Sequence, residues 1–381
     1  MNTDHSIDTI SAPSHIIPRI KVFGNSPSPE EIRDNYIAKN LPFILTGDAC
    51  LSTNSIPWKV FDEWLVCSEN GQVSQLDVEH IIRHYGEDVV PVADCSKQEY
   101  GTHPKTEMKF TEFLSRMGGG DCCLYLKDYH FVRMHEDVKL YETPAYFTSD
   151  WLNEYCVDNG KDDYRFVYLG STGSWTPFHA DVLHSFSWSA NIVGKKRWIL
   201  YPPGKEELMK DQLGNLPFDV TIEPYTLPTH PSYPHRVEVT QSSREIIFVP
   251  SGWHHQVHNL ETTLSVNHNW FNGCNAEKCW NYLKYNLQLV EKEISEFKDS
   301  MTDWESHCQV LLRAHMGFHF EDFIEILIHI ANKRLGMNRP QVFDLVALRD
   351  MFRQIANVNS SSRTTIETLV KEINKTLQYY I

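Results

Sequence analysis

The chain has 381 residues with 41% hydrophobic and 22% charged side chains, an ordinary globular balance that leaves ample material for a core. Asp and Glu total 50 against 35 Lys and Arg, a formal net charge of -15, so a nucleic-acid backbone is a poor partner and a basic protein a better one. Nine scattered cysteines without a Cys-x-x-Cys pair argue against a disulfide framework or zinc ribbon, and for a reducing compartment.

The first residues, MNTDHSIDTISAPSH, lack the charged start and apolar run of a secretory signal. No stretch approaches the roughly 18 apolar residues of a membrane span. A soluble protein of the cytoplasm, with the nucleus as a second location and no membrane partner, is expected. Residues 1–27 read as an extended lead-in. Ser28-Pro29-Glu30-Glu31 then reads as a helix start: an N-cap, a proline at the first position and acids in the first turn. A strand is expected from Leu41 to Leu45, short helices near 58–66 and 109–117, and a strand from Val89 to Val92.

From about 121 to 271 short β-rich runs recur between turn residues: Cys122–Leu126, Phe166–Leu169, Phe186–Val193, Arg197–Tyr201, Glu245–Val249, Gln256–Asn259 and Thr263–Trp270. That texture predicts an antiparallel sandwich or barrel. After Gly273 the pattern becomes helical. Trp280, Leu283, Leu287, Val290, Ile294 and Phe297 form one apolar stripe, Phe320 to Ile328 a second, and Val342 to Ile355 a third. Ser360 to Ser362 mark a linker before a last helix at about 364–379. These helices are expected to pack on the β-rich part, with a homo-oligomer interface as the alternative.

Two short motifs carry candidate chemistry. In Thr176-Pro177-Phe178-His179-Ala180-Asp181, a strand would turn His179 and Asp181 to one face, two of the three ligands of a facial iron triad. A second His must come from elsewhere. Pro250-Ser251-Gly252-Trp253-His254-His255 offers it, directly after the run Ile246–Val249. By alternation Trp253, His255 and Val257 share a mostly apolar face, and His254, Gln256 and His258 a polar one that suits water or a covering loop. Such a triad leaves three coordination positions, enough for a bidentate 2-oxo acid and O2. The far carboxylate of that acid needs a buried cation. Lys196, 17 residues after His179, shares a strand face with Trp198 and Leu200 and is the candidate.

Here the sequence resembles the jumonji-C oxygenases. Their Thr-Pro-x-His-x-Asp, Gly-x-Lys-Arg-Trp and Pro-x-x-Trp-(Trp/His)-His motifs stand here as TPFHAD (176–181), GKKRWILYPP (194–203) and VPSGWHHQVHN (249–259), followed by SVNHNW (265–270). The resemblance implies an α+β chain dominated by a double-stranded β-helix, a jelly-roll or cupin-like barrel. It implies Fe(2+) on His179, Asp181 and His255, with 2-oxoglutarate and O2 as cosubstrates; His255 also fits the family register, five residues after Pro250. It implies Lys196 and Thr176 on the distal carboxylate, Tyr125 as a further hydroxyl donor, and Asn267 near the iron-bound carboxylate. Many relatives carry an Asn ten residues after the first ligand. This chain has Ser189 there, and Asn191, two residues on, is the candidate substitute.

The divisions expected are 1–120 (lead-in and mixed α/β elements), 121–272 (the catalytic jumonji-C domain) and 273–381 (helical). The run FVPSGWHHQVHNL, with NHNWFNGCN and a helical C-terminus, resembles the jumonji-domain-containing protein four family. That implies hydroxylation of a protein side chain, a lysine of the translation termination (release) factor. A histone lysine demethylase, an RNA-directed hydroxylase and a non-catalytic metal-binding scaffold are the alternatives.

Overall fold

The computed structural model describes residues 20–24, 27–47, 51–53, 56–67, 74–117, 123–356 and 362–380. Strand alternation sets its architecture. In Phe186–Val193, the side chains of Phe186, Trp188, Ala190 and Ile192 enter an apolar core shared with the N-terminal helices, and Ser187, Ser189 and Asn191 take the other face. Thr263–Trp270 divides likewise, with Leu264, Val266 and Trp270 in that core and Ser265 and Asn267 opposite. Both belong to a nine-stranded sheet ordered Lys21–Phe23, Phe43–Thr46, Glu245–Val249, Phe186–Val193, Thr263–Trp270, Arg165–Gly170, Leu124–Tyr129, Val89–Asp94, Lys105–Lys109. A four-stranded antiparallel sheet, ordered Trp175–His179, His254–Asn259, Lys196–Tyr201 and Val237–Gln241, lies across it. Ile44, Ile247 and Val249 of the first meet Trp198, Leu200 and Val257 of the second in a separate apolar cluster.

The expected double-stranded β-helix barrel is not found. Among the described residues no strand of one sheet pairs with a strand of the other, so both stay open. The fold is mixed α+β with several sheets, two of them two-stranded ribbons. Short strands between turn residues look alike in an open sandwich and a closed barrel, because only edge pairing separates the two. Here Lys21–Phe23 and Phe43–Thr46 widen the larger sheet instead of sealing it.

The helix start at Ser28 is present: its hydroxyl accepts from the Glu31 amide above Pro29–Ile32. One wide turn, Arg33–Ile37, follows, and the chain then reaches Asn40 in the left-handed region at φ 58. That residue clamps the turn before His255. Its Nδ2 donates to the Ser251 carbonyl (2.9 Å), its Oδ1 accepts from the Ser251 amide (3.0 Å), and its carbonyl accepts from Trp253 Nε1 (3.1 Å). The helix expected at 58–66 is only Val60–Glu63, with a strand from Leu65, whereas that near 109–117 spans Phe110–Met117.

The C-terminal helices Ala276–Glu293, Trp304–Met316, Phe320–Leu335, Val342–Ile355 and Arg363–Leu377 enclose a core that also takes in Trp151, Leu152 and Leu183. The first stripe is buried only at its start. Trp280 and Leu283 are covered, but the helix stops at Glu293 and Phe297 is 49% exposed. Arg334, fully buried, pairs with Glu154 and Asp344 and so ties this core to the helix Trp151–Asp158. Most of the expected lead-in (residues 1–19) and of the Ser360–Ser362 linker lies outside the described residues.

Candidate functional site

A cavity of about 720 Å³ opens between the two sheets. His179, Asp181, His255, Lys196, Thr176, Tyr125 and Asn267 all line it; Asn191 does not.

His179 ends its strand and stands directly opposite His255 in the antiparallel ladder, with ring centroids 4.4 Å apart. Asp181 lies just past the strand, but its backbone stays extended (φ -64, ψ 152), so it still reaches the same side. One ligand atom from each of the three lies within 4.8 Å of the others. The Nδ1 of His179 faces the Pro177 carbonyl at 2.8 Å, and that of His255 the Trp253 carbonyl at 3.0 Å. A carbonyl only accepts, so each Nδ1 carries the proton and each Nε2 presents its lone pair. Ser187 donates to Asp181 Oδ2 at 2.7 Å and fixes that carboxylate. Burial, with His255 alongside, pushes the His179 pKa down to about 3, which keeps the imidazole neutral. Two imidazoles that present Nε2 and a carboxylate on one side suit a divalent transition metal and leave its other side open.

Deeper in the cavity Lys196 is 1% exposed, on one strand face with Trp198 and Leu200. Its ammonium donates to Ser265 Oγ (2.7 Å) and to Tyr125 Oη (3.4 Å). No carboxylate pairs with it among the described residues. Burial, followed by the nearby Lys127 charge, pushes its pKa down to about 7. A buried ammonium served by hydroxyls alone lacks a counter-charge, and an entering carboxylate would supply one. Tyr125 reaches this position because residue 170 is glycine. A Cβ there would come within 2.8 Å of the Tyr125 ring and closer still to Asn259 and Ser174.

Asn267 accepts from Ser189 Oγ at 3.1 Å, so Ser189 is the side chain beside it. Asn191 sits at the turn end of the same strand, where its Nδ2 donates to the Gly194 carbonyl at 2.7 Å. Ser187 and Ser265 were missed from the sequence. Both could have been found, since each shares a strand face with a residue already singled out, Ser187 with Ser189 and Ser265 with Asn267. Of the two surroundings expected for the His254 face, water or a loop, the loop holds. His254 is 7% exposed, 3.7 Å from Glu206 and tilted against Phe178, while Gln256 donates to Asp219.

Residues 166–270 match the family described as JmjC domain, hydroxylase. Proteins described as 2-oxoglutarate and iron-dependent oxygenase JMJD4 are 48% identical over 273 residues in Homo sapiens (68% of this chain, 65% of that one) and 42% identical over 324 residues in Danio rerio (79% and 75%). The chain belongs to the JmjC family. Its match spans just under two thirds of the human JMJD4 protein's length. An Arabidopsis thaliana protein described as arginine-specific demethylase JMJ20 is 35% identical over 382 residues, 94% of this chain and 78% of that one. The JmjC match takes in the triad, Thr176, Lys196 and Asn267; Tyr125 precedes it. No helix among the described residues is long and apolar enough to cross a membrane.

Proposed function

We propose that this JmjC chain is an iron(II)- and 2-oxoglutarate-dependent dioxygenase that hydroxylates a protein side chain, a lysine of the translation release factor. One observation carries the reading: a metal-capable triad and a buried ammonium without a counter-charge open into the same cavity. The Nε2 atoms of His179 and His255 and the Asp181 carboxylate would hold the iron. Lys196, with Tyr125 and Ser265, would hold the distal carboxylate of 2-oxoglutarate, with Thr176 beside them and Asn267 at the inner end. When bound, iron, 2-oxoglutarate and O2 supply oxidative decarboxylation coupled to hydroxylation of a C–H bond. The chain's part is to orient these groups and to keep water out with apolar walls such as Phe178, Trp198 and Val257.

The likeness to JMJD4 proteins supports the iron- and 2-oxoglutarate-dependent oxygenase activity, and an acidic chain suits a cationic side chain as substrate. Likeness to JMJ20 over nearly the whole chain favours a second reading, demethylation of arginine. Mass spectrometry of the release factor after incubation with the enzyme, iron(II), ascorbate and 2-oxoglutarate separates the two. One added oxygen on a lysine is the expected product; loss of a methyl group from arginine with release of formaldehyde would favour the second reading.

The lowered Lys196 pKa gives a pH signature. A bound carboxylate stabilises the ammonium and raises its pKa, so binding is fully present below the free value of about 7 and weakens as pH rises through it. The dissociation constant of 2-oxoglutarate should climb by up to about tenfold per pH unit above 7 until the raised pKa of the complex is reached. Titration calorimetry across that range checks it, and a flat profile would remove Lys196 from this role.

A further inference from the structure

The strand Leu124–Tyr129 is irregular where it borders the cavity. Its pairing with Arg165–Gly170 slips between Val167 and Leu169, and Asp128 sits in the left-handed region at φ 60. Strict alternation would put Lys127 on the cavity face and Asp128 on the core face. The bulge lets both line the cavity, while Leu126 and Tyr129 return to the apolar core. A non-glycine residue held left-handed in a strand is local strain of the kind that clusters at functional sites.

Asp128 is spoken for: its carboxylate pairs with Lys105 and accepts from the Tyr168 hydroxyl at 2.7 Å. Lys127 is not. Among the described residues its ammonium has no hydrogen bond or ion pair, only the face of the Tyr125 ring at 5.5 Å. Tyr125 is also a partner of Lys196, so two ammonium groups flank one phenol in the same cavity. Burial pushes Lys127 down to about 8 against the pull of the Asp128 charge, and the Lys127 charge in turn adds to the depression of Lys196. The Lys127 charge is also felt at His179, so it acts on the triad as well as on the deep lysine. A dianion lying between those two ends answers both cations at once.

We propose that Lys127 is a second cationic anchor for the 2-oxoglutarate dianion, working beside Lys196. This rests on the proposed oxygenase reading. It makes a double claim that a merely structural lysine would not satisfy. Without ligand, Lys127 is a buried ammonium with no bonded partner, offset in part by the Asp128 charge and set against Lys196, and its removal should leave the empty protein as stable or more stable. With ligand, its removal should cost affinity.

The test is titration calorimetry of 2-oxoglutarate into Mn(II)-loaded full-length protein, for the wild type, Lys127→Met and Lys127→Arg, with Tm and metal content measured alongside. The expected result for Lys127→Met is an unchanged or higher Tm without ligand, unchanged Mn(II) content, and a Kd raised about tenfold or more. Lys127→Arg, which keeps the charge, should stay closer to wild type and serves as the main comparison if the methionine variant folds poorly. A Kd for Lys127→Met equal to that of wild type would overturn the proposal while leaving the oxygenase reading intact. Failure of the wild type itself to bind 2-oxoglutarate would sink both.

Discussion

Lys196→Ala should weaken 2-oxoglutarate binding by about 2–5 kcal/mol, the usual cost of cutting one partner from a buried charge pair. That corresponds to a Kd raised roughly thirtyfold to several thousandfold. The size follows from the surroundings of the lysine. Its ammonium is 1% exposed and bonds only to the hydroxyls of Ser265 and Tyr125, so an entering carboxylate would be its one charged partner. The triad lies on other strands and does not depend on Lys196, so metal content should be unchanged. The empty protein should not lose stability beyond the small cavity left behind, because the charge removed has no partner there. Calorimetry on metal-loaded mutant and wild type reads the loss, and equal affinities would take the lysine out of the site.

The second large effect separates two adjacent histidines. His255→Ala should abolish metal binding and turnover, and His254→Ala should keep the metal. The ring of His255 faces His179 with its Nδ1 committed to the Trp253 carbonyl, which leaves Nε2 for a metal. The ring of His254 goes through the other side of the four-stranded sheet, to Phe178, His184 and Glu206 under the connection that follows Tyr201. Losing it opens a gap in that layer, so some stability and part of the activity should go. Metal analysis of both purified mutants decides. A metal-free His254→Ala beside a metal-loaded His255→Ala would reverse the assignment.

Much of the site was legible because strand alternation is a local rule. It placed Lys196 with Trp198 and Leu200, and His255 apart from His254, before any fold was known. It stopped being a guide wherever the backbone left the regular strand. Asp128 escaped it because a bulge turns it to the cavity, and a left-handed aspartate has no local signature in YLKDYH, whereas Lys127, two residues after Tyr125, was open to the same alternation and was missed. Asn191 was a fair substitute by face. The turn at Gly194, however, takes its amide, and a face says nothing about how far along the strand the cavity extends. The closed barrel failed for a longer-range reason. Edge pairing depends on strands more than 100 residues apart in the chain, such as Phe43–Thr46 against Glu245–Val249, and no local pattern encodes it. The helix stripe from Trp280 to Phe297 was read as continuous because periodicity does not show where a helix ends, and this one stops at Glu293.

The central claim is that the triad and Lys196 form a single site for a metal and a dicarboxylate together. The most direct measurement is calorimetric titration of 2-oxoglutarate into the protein with and without Mn(II), in the absence of O2-driven turnover. One equivalent should bind to the Mn(II)-loaded protein, and removal of the metal should weaken binding by about tenfold or more, because the 2-oxo acid end loses its ligand while Lys196 keeps the other. Equal affinity with and without the metal, or no binding to the metal-loaded protein, would contradict the account.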